Sequence, residues 1–166
     1  IEQVFSPHVH EGFAFVMIEQ GAQRFHHRGA EHVAPAGSVV LINPDEVHTG
    51  SKADEAGWRY RGFYPELAQV SGVLEELELG GGGTPSFDAS VVFDPELVQA
   101  LFAAHRLVDS DASVLQRQTC WREALLLLFQ RHARIPEAPP AGHEPVAVAR
   151  ARELLGAQPP LAHRLG

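Results

Sequence analysis

The chain has 166 residues, 45% of them hydrophobic, and a formal charge of −8. This length fits one domain of ordinary size with a real core. No run of about 18 apolar residues is present to cross a membrane, and the acidic balance excludes tight nucleic-acid binding by these residues alone, because phosphate recognition needs a basic surface. The single cysteine, Cys120, excludes an intrachain disulfide and fits a reducing, cytoplasmic setting. No signal peptide is visible, and a start at Ile1 rather than Met reads as a fragment or trimmed product.

From Gly12 to Gly50 short apolar runs are broken by turn signals, the texture of antiparallel β-structure. Phe13–Ile18 reads as a strand, Glu19–Ala22 as a turn and Gln23–His27 as the returning strand. Glu31–Ala34 is short and extended. Pro35-Ala36-Gly37 is a tight turn leading into the β-branched strand Ser38–Ile42. Val47–Ser51 and Gly57–Tyr64 complete the series. Many short strands of this kind predict a sandwich or barrel, and closure would remove its exposed edges.

The pattern changes at Pro65. Leu67, Val70, Leu74 and Leu77 repeat at helical spacing, with Pro65 in the first turn, and Gly80–Gly83 ends the helix. Ala89–Phe93 reads as a short strand returning to the barrel. Asp94-Pro95 then opens a helix in the expected way, with an Asp cap and Pro at the first position. A longer helix, capped by Asp111 or Ser113, reaches about Ala133. Its Leu125–Phe129 run is apolar almost all round, so it is expected to be buried on more than one side and to meet a second subunit through Trp121, Leu125 and Leu128. Residues 135–145 read as a Pro-rich linker and 146–156 as a final helix.

Six of the ten histidines precede residue 50. His8 and His10 flank Val9, so on an extended chain they point to the same side. With His48, three imidazoles are expected to converge at a barrel mouth, a candidate site for zinc or another first-row divalent ion. The alternative is a hydrogen-bonding rim with no ion. The ligand-binding candidates are His8, His10, Phe15, Arg24, His48, Trp58 and Tyr60. Period-two alternation separates Phe13, Phe15 and Met17 from Ala14, Val16 and Ile18 without saying which set faces inward.

In order along the chain, His8-Val9-His10, the Gln20-Gly21 turn, Pro35-Ala36-Gly37-Ser38, Pro44-Asp45-Glu46-Val47-His48, Trp58-Arg59-Tyr60 and Phe93-Asp94-Pro95 resemble the cupin pattern. More narrowly, they resemble the N-terminal effector-binding domain of AraC-type transcription regulators. The likeness implies a mainly β domain with C-terminal helices: a cupin-like double-stranded β-helix (jelly-roll) barrel over 1–93 with an inserted helix at 65–79, a helical dimerisation region over 94–134, and a linker running into the start of a DNA-binding domain over 135–166. It implies a small polar effector such as a sugar or amino acid, a homodimer, DNA contact only through the C-terminal domain, and no required cofactor. Metal-binding cupins usually carry Glu four or five residues after the second His, where this chain has Ala14 and Phe15, and Pro44 and His48 stand one residue closer than in the enzymes. These departures favour a sensor over the alternative, a stand-alone metal-dependent isomerase or dioxygenase using His8, His10 and His48. A structural cupin with a filled interior is the third reading.

Overall fold

The computed structural model describes residues 4–79 and 83–136. The chain forms β1 (Phe5–His8), β2 (Ala14–His27), β3 (Ala30–Pro35), β4 (Val39–Ile42), β5 (His48–Lys52) and β6 (Trp58–Phe63). These are followed by α1 (Leu67–Glu76), β7 (Ser86–Phe87), β8 (Val91–Val92), α2 (Pro95–Val108), α3 (Val114–His132) and β9 (Ala133–Arg134). The architecture is mainly antiparallel β with C-terminal helices. The final linker and helix expected beyond residue 136 lie outside the described residues.

One strand organises the fold. β2 is 14 residues long and pairs with four others. Its first half lies between β4, with Ala14 opposite Ile42 and Met17 opposite Val39, and β6, with Phe15 opposite Phe63 and Gly21 opposite Trp58. Its second half lies between β3 and β5, with Phe25 opposite His32 and His27 opposite His48. The turn expected at 19–22 is therefore a bend within a continuous strand. Gly21 makes the bend: its φ is +68°, and a Cβ there would sit 2.0 Å from the Gly57 carbonyl oxygen. Only glycine takes that conformation at that approach without strain. β1 adds to the outer edge of β5 and β8 to the outer edge of β4. The seven-stranded sheet bends round an interior but does not close, contrary to the closed barrel expected, because no ladder among the described residues joins the two ends of this strand order.

Alternation along β2 sends side chains into two separate cores. Ala14, Val16 and Ile18 face the interior, joined beyond the bend, where the alternation switches, by Phe25, together with Ala34, Val40 and Ile42, and Trp58 and Tyr60 pack against them. Phe13, Phe15 and Met17 face the other way, into a core shared with the helices: Val70 and Leu74 of α1, Leu97 and Leu101 of α2, Leu125, Leu128 and Phe129 of α3. The helices are therefore packed on the sheet, each buried side chain contributing about 1.5–3 kcal/mol.

The helix ends follow from local chemistry. Asp94 caps α2 by accepting from the Leu97 N–H at 3.1 Å, and Ser113 and Gln116 form a reciprocal capping box at α3. At α1, Pro65 falls one residue before the cap Glu66, whose N–H donates to the Gln69 side chain. The Pro65 carbonyl instead accepts from Phe13 N–H at 3.0 Å, which fixes the helix to the start of β2. A two-residue ribbon, unforeseen from sequence, pairs β7 with β9 and so fastens the end of α3 to the segment entering β8.

Candidate functional site

A cavity of about 270 Å³ lies in the interior of the bent sheet. Ala14, Val16, Phe25, Val40 and Ile42 form its apolar floor, and Phe5, His8, His10, His48, Tyr60 and Tyr64 form its mouth, with Gln23 and Thr49 beside them. Ala14, Val16 and Phe25 reach it because they occupy the inward positions of β2. The mouth is assembled from β1, the loop after it, the start of β5 and the end of β6.

The three imidazoles meet there. The rings of His8 and His48 are 4.3 Å apart between centroids, and His10 stands 5.1 Å from each. Tyr64 lies 5.0 Å from His10. His8 Nδ1 donates to the Ser6 carbonyl at 2.7 Å and His48 Nδ1 to the Glu46 carbonyl at 3.0 Å. Burial lowers the pKa of His10, as does the neighbouring His8. Burial also lowers that of His48, against the hydrogen bond to Glu46 that favours its charged form. These two rings are thereby biased toward neutrality. Burial and the nearby Tyr60 raise the Tyr64 phenol, which stays protonated. Among the described residues no carboxylate belongs to the histidine group.

The remaining candidates lie elsewhere. Phe15 is fully buried on the opposite face of β2, against Phe13, Phe87 and Phe129, because its parity in the strand is that of the helix-facing core. Arg24 points outward between the inward Gln23 and Phe25, because the bend at Gly21 switches the alternation of β2, and it pairs with Glu31 at 2.7 Å on the surface. Trp58 stacks on Tyr60 and meets Phe5 edge-on, one layer behind the mouth. Of the residues expected at a subunit interface, Leu125 and Leu128 are fully buried in their own chain's core and are not available to a partner. Trp121 packs on Phe63 at 4.5 Å and borders a groove between the helices and the end of β6.

Sequence reasoning missed Gln23, Phe25, Thr49 and Tyr64. Gln23 has a buried side-chain oxygen with no hydrogen-bond partner among the described residues, an acceptor available to a ligand. Strict alternation from Ala14, Val16 and Ile18 would point Arg24 inward; the irregularity and bend between Ile18 and Gly21 switch the parity and bring Gln23 and Phe25 to the cavity instead, which no periodicity announces.

Behind the site runs a buried polar network. His27 Nε2 donates to Glu46 Oε2 at 2.8 Å, and His27 Nδ1 accepts from the Ser90 hydroxyl at 2.8 Å. This tautomer is required because a carboxylate can only accept; burial keeps the ring neutral by lowering its pKa. Arg28 holds Glu46 Oε1 and the carbonyls of Phe87 and Asp88. Asn43 exchanges two hydrogen bonds with the Phe87 backbone. Burial pushes the Glu46 carboxyl up, but the bonds from Arg28, His27 and Asn43 outweigh it and leave the pKa lowered.

A small cavity with an apolar floor and a few converging polar groups, inside a cupin-like sheet, defines a small-molecule binding domain. Residues 1–125 match the AraC-like ligand binding domain family, and the chain belongs to that family. An uncharacterized HTH-type transcriptional regulator of Bacillus subtilis (strain 168), YbfI, is 24% identical over 137 residues, covering 81% of this chain and 49% of that protein. Apo ToxT K231A from Vibrio cholerae strain SCE256 shares the fold with a TM-score of 0.57 and 10% identity, over 79% of this chain and 51% of its own. A second ToxT structure, a P21 form, gives 0.52 and 8%, over 94% and 60%. The chain thus spans about half the length of the regulators it matches. Family and relative point to a regulatory ligand-binding domain rather than an enzyme. No helix among the described residues is long and apolar enough to cross a membrane.

Proposed function

We propose that this chain is the effector-sensing part of a cytoplasmic AraC-type transcription regulator. A small polar molecule, such as a sugar or amino acid, occupies the cavity, with His8, His10, His48, Tyr60, Tyr64 and Gln23 as its polar and aromatic contacts. The observation that carries this reading is the cavity itself, with polar groups at one end and aliphatic side chains at the other. Binding biases an attached C-terminal DNA-binding domain, and the network behind the mouth is the route. Glu46 accepts from His48 through its carbonyl and grips His27 and Arg28 through its carboxylate. Those residues hold Ser90, Phe87 and Asp88, beside the β7–β9 ribbon at the end of α3. A switch of this kind requires that the effector prefer one arrangement of these elements.

The regulator acts as a homodimer. Supporting this, the helix ends flanking the α2–α3 turn carry the exposed apolar residues Val108, Val114 and Leu115, beside the groove bordered by Trp121.

A thermal-shift screen of sugars, amino acids and small aromatic compounds tests the sensing reading. A true effector at a hundredfold excess over Kd stabilises the fold by about 2.7 kcal/mol, and Tyr60→Ala abolishes the shift. A shift that Tyr60→Ala leaves unchanged would place binding outside this cavity.

A further inference from the structure

We propose that His8, His10 and His48 bind one first-row divalent transition ion of the zinc type, which ties β1 and the loop after it to β5. This rests on the sensing reading and deepens it by naming a ligand class for the cavity mouth.

The three side chains come from separate places: the last residue of β1, the following loop and the first residue of β5. One ring nitrogen from each lies within 4.8 Å of the others. A tetrahedral ion with metal–nitrogen distances of about 2.0–2.1 Å sets neighbouring nitrogens roughly 3.3–3.4 Å apart. The rings therefore close by at most about 1.5 Å on binding. His10 can supply this movement, since it sits outside any strand and its ring makes no hydrogen bond among the described residues.

The surroundings of the other two are those of a ligating imidazole. A carbonyl oxygen can only accept, so the bonds to Ser6 and Glu46 place the proton of His8 and His48 on Nδ1 when the rings are neutral. Each Nε2 then carries the lone pair that a metal takes. Fixing the second nitrogen through a backbone carbonyl is how proteins orient metal-binding histidines. Imidazole donors suit zinc and its neighbours and disfavour magnesium and calcium, which need oxygen ligands. Three neutral ligands leave the ion its full double charge and one open position, beside a cavity of about 270 Å³. An anionic oxygen donor on the effector would complete the shell.

The ion also acts where the sheet is weakest. Among the described strands β1 pairs only with β5, at Phe5–Gly50 and His8–His48, with an irregularity between. Three coordinate bonds across that pairing hold the edge strand in place.

The test uses the tag-free 166-residue chain, stripped with chelator and titrated with cobalt(II) by visible absorption and with zinc(II) by calorimetry and thermal melting. One equivalent binds, with the ligand-field bands of a four-coordinate cobalt ion, and zinc but not magnesium raises Tm. His10→Ala weakens binding by more than about a hundredfold, since loss of even an outer-shell partner costs about 10–100-fold. His26→Ala, which removes an exposed imidazole outside the group, binds as wild type. Substoichiometric binding without those bands, an unchanged His10→Ala, or an equal loss in His26→Ala overturns the proposal. If zinc fails while an organic effector still shifts Tm, the metal inference falls and the sensing reading stands.

Discussion

Leu125 and Leu128 face the cluster formed by Phe13, Phe15 and Phe87, and neither has measurable exposure. Truncating a buried leucine costs about 2–5 kcal/mol, and an unpaired carboxylate in its place adds more. Leu125→Asp is therefore expected to consume most of a total stability of about 5–15 kcal/mol and to give unfolded or insoluble protein. Leu115 lies on the same helix at 73% exposure. Leu115→Asp should fold normally, with an unchanged denaturation midpoint, and weaken self-association. Sedimentation and urea melts on both variants separate the two effects. A Leu115→Asp variant that associates like wild type would remove this patch from the proposed dimer surface.

At the scale of elements, the Asp94 carboxylate holds two helices together. It caps α2 through Leu97, accepts from His132 at 2.9 Å and pairs with Arg131 at the end of α3. Burial pushes its pKa up, but the Leu97 N–H, His132 and Arg131 win and hold it down to about 2, from an ordinary 3.8. Because the folded value is the lower one, the ionised carboxylate stabilises the fold above pH 4, and the effect is lost as pH falls through about 2. Asp94→Asn keeps the cap acceptor and removes the charge. Its deficit, about 1 kcal/mol at pH 7 on the scale of a charged hydrogen bond, should shrink between pH 4 and pH 2 in urea melts. A deficit independent of pH would assign it to packing. This cap was legible in Asp94-Pro95 because capping is local chemistry, and five of the strands were legible from turn residues and alternation. The unread features depend on contacts distant in sequence. Gly21 looks like a turn glycine until Gly57 is brought against it. The β7–β9 ribbon exists only because α3 returns its end to residue 87. Likewise, the convergence of His8, His10 and His48 was legible from parity and order, whereas the placement of Phe15 depends on which face of β2 the helices cover.

Across the whole molecule, one sheet has two faces: one forms the cavity and the other carries the helices. A signal from the first to the second must pass through β2 or around its end, and the His27–Glu46–Arg28 network lies at that end. In the proposed route Arg28 is the hinge, since its guanidinium joins the Glu46 carboxylate to the carbonyls of Phe87 and Asp88 at the end of β7. Removing it costs about 1.5–3 kcal/mol in charge-assisted hydrogen bonds, against segments held otherwise by a two-residue ladder, the Asn43–Phe87 bonds and the His27–Ser90 bond. In Arg28→Ala, amides of the β7–β9 ribbon are expected to exchange with solvent roughly tenfold faster, by local opening, while the β2–β4 ladder exchanges as before. A ligand bound at the cavity mouth should slow exchange at the Phe87 and Ala133 amides of the wild type, because it immobilises His48 and, through the Glu46 carbonyl, the loop that holds Arg28. In Arg28→Ala the same ligand should bind with similar affinity and leave those amides unprotected. Equal protection in both proteins would mean that the cavity communicates with α3 directly through β2, by the aromatic contacts of Phe15 with Phe87 and Phe129.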